Sequence, residues 1–304
     1  MLQYIKSNSD LVLQTVEHDD INVWIRSDRP TEDERKILID LGIDEDILTD
    51  ALDPHEVPRL EIEQPWAYFI TRVPDIGDDF NDFTTPILFA FNGDKFVTVS
   101  RDSLGRMWQP FIDRTRVSTA RQRQLYLLMV DTIAQSYQNR VALINRQMRA
   151  VTNNVTSLRP SEIATIVEYE RKLNDYLDAL IPTNTSLEKL LANKSLRFRE
   201  DDLDEIEDLS VDLEQVIARC KSLLRTIQNV RDSYRAVMDT RLNETMRMLT
   251  IVTVIMTVPT MLAGVMGMNV SFPFETTGTE AFWVVIGSSV FAGAFISWYF
   301  FRRR

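Results

Sequence analysis

The sequence predicts an α+β domain that hands over to a long stalk helix and two C-terminal membrane-spanning helices. Three observations predict it. No charged residue occurs from Met248 to Phe274 or from Ala281 to Phe301, and each run reaches the roughly 20 residues that cross a hydrocarbon core. Upstream of the first run, apolar residues recur in alternating steps of three and four. The first ~115 residues instead read as short β-rich segments separated by turn signals.

Residues 1–115 are expected to form a cytosolic α/β domain. LVLQTVEHDDINVWI and WAYFITRV read as strands, and PILFAFNGDKFVTVS reads as two β arms around an Asn92-Gly93 turn. Thr31 followed by Glu34 is a capping box opening a helix through Ile37 and Leu38, and IDEDILTDAL reads as another helix. The start of the chain, MLQYIKSNSD, lacks the apolar core of a signal peptide, so this domain is expected to stay inside the cell.

Residues 116–200 read as a helical hairpin, with breaks expected at Pro160 and near Pro182. Residues 201–266 read as one helix. Ile206, Leu209, Leu213, Val216, Cys220, Leu223, Ile227, Val230, Tyr234 and Val237 form its stripe, and no proline interrupts it before Pro259. At 1.5 Å per residue such a helix is roughly 100 Å long, far more than a bilayer needs. Residues 267–280 are then an extracytoplasmic loop, 281–301 the second span and 302–304 a basic tail. Arg241 and Arg247 before the first span and Arg302, Arg303 and Arg304 after the second, with no Lys or Arg between, predict cytoplasmic termini and a multi-pass protein of the cell (inner) membrane.

Composition narrows the chemistry. One cysteine, Cys220, and two histidines, His18 and His55, exclude a self-contained Cys/His zinc site, so metal chemistry must use oxygen ligands. No nucleophile and base stand in a recognisable arrangement, and no GxxxxGK[ST] phosphate loop occurs. Neither an enzyme nor an organic cofactor is expected, and the formal net charge of -11 accompanies an expectation of no nucleic-acid partner.

Within the first span Asn243, Met246, Thr250, Thr253, Thr257, Thr260 and Gly264 again follow steps of three and four, which puts them on one helix face. Two explanations compete. The threonine hydroxyls bond back to their own helix while small residues admit a neighbouring helix, or several copies of the face surround a narrow wet path. A carboxamide is costly in lipid but useful to a hydrated cation, and uncharged oxygens release a dication that a carboxylate ring would hold. Mg²⁺ sheds water reluctantly and suits recognition through its hydration shell, which Asn269 would supply at the entrance. Gly267 is expected to let the chain leave the helix there, and Pro273 to prevent its resumption.

Gly267-Met268-Asn269, just after the first of two C-terminal spans, with NETMRMLTIVTVIMTVPTMLAG upstream and RRR at the end, resembles the signature of the CorA family of magnesium channels. DALDPHEVPRLE resembles part of that family's N-terminal domain. Met266 stands where the family commonly carries an aromatic residue, and Phe274-Glu275 and Glu280 match the loop's acidic ending loosely. The resemblance implies a funnel-shaped homopentamer whose pore is lined at Asn243, Met246, Leu249, Thr253, Thr257, Thr260 and Gly264, with Leu249 where the spacing alone selects Thr250. It implies selectivity at Asn269, an apolar constriction at Met246 and Leu249, and passive, potential-driven uptake of Mg²⁺, with Co²⁺ and Ni²⁺ as secondary cargo. It also implies a regulatory Mg²⁺ between subunits, at Asp208 of the acidic run REDDLDEIEDLSVDLE, with Asp75, Asp78, Asp79 and Asp82 as an acidic loop within reach. A zinc transporter of the same superfamily and a membrane-anchored scaffold are the alternatives.

Overall fold

The computed structural model describes residues 2–17, 20–75, 83–152, 158–192, 199–268 and 279–302. They fall into two units, one running to Val230 and the other from Arg231.

The first unit is built on a sheet. Strands β1 (Leu2–Ser7), β2 (Leu13–Val16), β3 (Val23–Asp28), β4 (Arg59–Glu63), β5 (Trp66–Pro74), β6 (Thr84–Phe91) and β7 (Lys95–Ser100) lie in the order β2-β1-β3-β7-β6-β5-β4. Among the described strands only β3 and β7 pair in parallel. The inner strands are continuous apolar runs because both sheet faces are covered. On one face Val23, Ile25, Tyr68, Ile70, Leu88 and Val97 pack with Leu38 of α1 (Glu32–Asp40) and Ile47 and Leu48 of α2 (Glu45–Asp50). On the other, Trp24 meets Trp108 and Phe111 of α3 (Gly105–Arg114) edge-on, at 6.4 and 6.3 Å. Tyr126 of α4 (Gln122–Thr152) lies against Phe69 and Phe89, and Thr183 of α5 (Pro160–Ala192) shares a 2.7 Å hydrogen bond with Thr71. The result is three layers, helix on sheet on helix.

Local signals explain several elements. Thr31 Oγ1 accepts from Glu34 N and the Glu34 carboxylate accepts from Thr31 N, closing the capping box that opens α1. Gly42, at φ +95°, ends that helix: its N–H donates to Ile39 O, and the Ile43 N–H to Leu38 O. In the β6–β7 hairpin Gly93 sits at φ +96° while Asn92 Oδ1 accepts from the N–H groups of Asp94 and Lys95.

Two expectations are corrected, and three elements were not anticipated. LVLQTVEHDDINVWI yields two strands, β2 and β3, with His18 and Asp19 of the connection outside the described residues. The helix expected to break near Pro182 runs through it from Pro160 to Ala192. Proline removes one donor from the ladder, but Thr183 anchors that turn, its hydroxyl bonded both to Ala179 O and to Thr71 of the sheet. Finally β1, β4 and α3 are elements for which no expectation was formed.

Helix α6 spans Glu200–Met266 and α7 spans Thr279–Arg302. In α6 the stripe from Ile206 through Leu209, Leu213, Val216, Cys220, Leu223 and Ile227 to Val230 is buried, and Ser210 donates to Asn184 Oδ1 of α5 at 2.8 Å. Tyr234 and Val237 are half-buried.

Candidate ion-conducting helix face

Beyond Val230, α6 changes character. It is long and apolar enough to cross a membrane. Asn243, Met246, Leu249, Thr250, Thr253, Thr257, Thr260 and Gly264 are all exposed. At 3.6 residues per turn, Met246, Thr253, Thr257 and Gly264 lie within about 20° of one line along the helix. Thr250 and Leu249 flank that line, about 40° and 60° to its two sides, so both positions border the same face.

Each hydroxyl on the face is already committed as a donor. Thr250 Oγ1 donates to Met246 O at 2.9 Å, and Thr253, Thr257 and Thr260 donate to Leu249 O, Thr253 O and Met256 O at 2.8 Å. A hydroxyl has one hydrogen and two acceptor lone pairs. With the hydrogen turned into the helix, what remains outward is oxygen. The bonds of the structural explanation therefore leave an acceptor-only row, the polarity that water molecules around a cation require. The two explanations of the stripe are compatible.

The second unit also shows where α7 goes. An added Cβ on Gly293 would meet Ile255 Cγ2 at 3.6 Å, and Ile255 and Pro259 share a groove with Ser289, Gly293 and Ser297. Ile255 lies about 200° around the helix from Thr257. Within the unit, α7 thus covers the apolar face of α6 and leaves the threonine face open.

At the end of α6, Gly267 N–H donates to Ala263 O and Met268 N–H to Val265 O, a tightened last turn. Gly267 was expected to release the chain through its backbone freedom. It is not among the described residues at positive φ, and an added Cβ would stand at ordinary distance, 3.5 Å, from Ala263 O. Asn269, Pro273 and Glu275 lie outside the described residues, as do Asp78, Asp79 and Asp82.

Carboxylates gather where α6 begins. Burial raises the Glu205 carboxyl above its ordinary range, and Asp202 and Asp131 add to the shift. Burial likewise raises Asp131, reinforced by Asp212 and opposed by Gln135, whose Nε2 donates to Asp131 Oδ2 at 2.7 Å. Asp131 belongs to α4, and sequence reasoning missed it, although it is the only acid from Arg114 to Ser161. Asp208 is exposed, and among the described residues no group of three or more His, Cys, Asp or Glu is placed to hold a metal ion.

An acid with a raised native pKa favours its neutral form in the fold. That contribution is complete below the unfolded pKa near 4 and is lost as pH rises through the native value, leaving a net cost at pH 7. Asp131→Asn is therefore expected to melt at a higher temperature than the parent at pH 7. The gain should vanish below about pH 4, which thermal melts across that range would reveal.

A large folded domain continued by a helix long and apolar enough to cross a membrane, with an uncharged hydroxyl face, fits a membrane protein. The chain belongs to the CorA-like Mg²⁺ transporter protein family, whose model matches residues 19–304, a family of ion transporters rather than enzymes. It is 24% identical over 289 residues to the cobalt/magnesium transport protein CorA of Methanocaldococcus jannaschii, covering 92% of this chain and 90% of that one. The corresponding protein of Thermotoga maritima is 19% identical over 237 residues, 76% of this chain and 68% of its own. The complete structure of the M. jannaschii magnesium transporter superposes with a TM-score of 0.83 at 20% identity, covering 100% of this chain and 98% of the other. The full-length CmaX protein gives 0.76 at 18% identity, covering 100% and 97%.

Proposed function

We propose that copies of this chain assemble around the threonine face of α6 to form a channel that admits Mg²⁺, and with it Co²⁺ and Ni²⁺, down the membrane potential. The observation that carries the reading is the pairing of two facts: α7 covers the Ile255 side of α6, while the opposite side offers outward hydroxyl oxygens whose hydrogens are turned inward. In a bilayer such a face is poorly matched to lipid, and enclosure by further copies of itself gives it water. Family membership supports divalent cations as the cargo, and the likeness to the cobalt/magnesium transport protein of M. jannaschii supports cobalt beside magnesium. Five copies follow the family resemblance, with the α7 helices forming an outer ring and a second span.

Along the path Thr253, Thr257, Thr260 and Gly264 form the wet stretch, Asn243 its inner end and Asn269 its entrance. Met246 and Leu249 are the narrow apolar segment. Both are exposed in the single chain, at 54% and 61%, and a ring of them would close the path by excluding water. Purified protein in liposomes loaded with a Mg²⁺-sensitive dye tests this: uptake should appear on adding Mg²⁺ and be competed by Co²⁺ and Ni²⁺. Liposomes that remain dark would refute it.

Regulation is proposed at Asp208. Since its side chain is exposed on the stalk helix, ligands for a bound Mg²⁺ come from a neighbouring copy, with Asp75 of the β5–β6 connection among the candidates. Relief of charge repulsion between copies then links internal Mg²⁺ to the closed state. Asp208→Ala is expected to reduce the inhibition of flux by internal Mg²⁺ by about tenfold in concentration, roughly 1.4 kcal/mol of linkage. An unchanged inhibition curve would remove Asp208 from the sensor.

A further inference from the structure

We infer that Gly293 of α7 sets the rotational position of α6, and so decides which residues of that helix face the conducting path. The inference rests on the threonine-lined path proposed above and adds a residue that never touches the ion. Ile286, Ser289, Gly293 and Ser297 follow steps of three and four, so they share one face of α7. Ser289 is buried at 8% exposure. Among the glycines of these two helices, Gly293 is the one seated against the neighbouring side chain: a Cβ there would lie 3.6 Å from Ile255 Cγ2, whereas one at Gly264 or Gly287 would meet nothing within 4 Å. Small residues let two helices in lipid come together until backbone meets side chain. The row is narrow, so the branched side chain of Ile255 has one seat, and the helix cannot turn about its axis without leaving it.

The rotation matters because the chemistry changes completely from one residue to the next. Thr257 is followed by Val258, a step of about 100° around the helix. Turning α6 by that angle would replace an oxygen row by methyl groups. The distance at Gly293 also sets the size limit. A methyl group fits at ordinary contact distance, but a leucine side chain overlaps Ile255 and must push or turn the helix. Gly293 is thus a positioning residue whose partner is Ile255.

The test combines flux with water accessibility in reconstituted full-length protein. Cys220 is buried, so cysteines introduced singly at Thr253, Thr257 and Leu262 can be followed with a water-soluble thiol reagent. In the parent background Thr253→Cys and Thr257→Cys should react at least tenfold faster than Leu262→Cys. Adding Gly293→Leu should erase that contrast and lower Mg²⁺ uptake at least tenfold, while Gly293→Leu with Ile255→Ala, which trades volume across the contact, should restore both. If Gly293→Leu fails to assemble, the paired variant decides: assembly with the parental reactivity pattern supports the inference, and failure to assemble overturns it. Parental flux and reactivity in Gly293→Leu, or no recovery in the paired variant, would equally overturn it. A parent protein that carries no Mg²⁺ would instead refute the conduction reading itself.

Discussion

Asn269→Ala is expected to reduce Mg²⁺ flux by about two orders of magnitude while leaving the oligomer intact. Mg²⁺ holds its water firmly, so an entrance that admits it selectively must bind the hydration shell rather than strip it. The shell presents hydrogens outward, and in the proposed assembly a ring of carboxamide oxygens, one from each copy, would accept them. Alanine offers no acceptor, and the loss is repeated in every copy. A factor of a hundred corresponds to about 2.7 kcal/mol in the barrier, the scale of one or two charge-assisted hydrogen bonds. Assembly should survive, because Asn269 follows the last turn of α6 at Gly267 and Met268 and is remote in sequence from the buried stripe of Ile206 to Val230. Size-exclusion chromatography beside dye-monitored uptake separates the two effects. Uptake at the parental rate would mean that the ion is recognised elsewhere.

The second large effect concerns the hydroxyl row. Replacing both Thr253 and Thr257 by Val keeps shape and removes two oxygens per copy, so flux should fall by about tenfold or more, the cost of drying two layers of a narrow path. Replacing both by Ser should retain most of the flux, since serine can repeat the bonds to Leu249 O and Thr253 O and present the same lone pairs. The contrast between Val and Ser isolates the oxygen from the bulk of the side chain. Equal loss in both variants would point to packing instead, and equal retention would place the path on another face.

Parts of this account were legible in the sequence because their causes are local. The capping box at Thr31 and Glu34 and the hairpin at Asn92-Gly93 each depend on residues three or four apart. The stalk stripe from Ile206 to Val230 was readable for the same reason, since period alone puts those side chains on one face. Strands β1 and β4 were not, because they are half-buried and mix charged with apolar residues, so their identity comes from the neighbours they pair with. α3 begins at a glycine and contains Pro110, both poor helix signals, yet Trp108 and Phe111 pin it to Trp24. Pro182 misled for a related reason: a contact with Thr71, more than a hundred residues earlier, sustains the turn.

The candidate site divides along the same line. Periodicity showed which α6 residues share a face, but only the α6–α7 contact at Gly293 and Ile255 showed which face is covered. The carboxylates of α6 stood out as a run, while their electrostatic partner Asp131 stands on another helix, some seventy residues away in sequence. Leu249 and Thr250 illustrate the remaining degree of freedom, since both border the line through Met246 and Thr257.

The most direct test of the central claim is Mg²⁺ uptake by the purified chain in liposomes whose membrane potential is set in steps by a potassium gradient. A dication gains about 4.6 kcal/mol per 100 mV of interior-negative potential. The account predicts uptake without nucleotide that grows as the interior is made more negative and falls when the potential is collapsed. Uptake indifferent to the potential, or none at any potential, would contradict it.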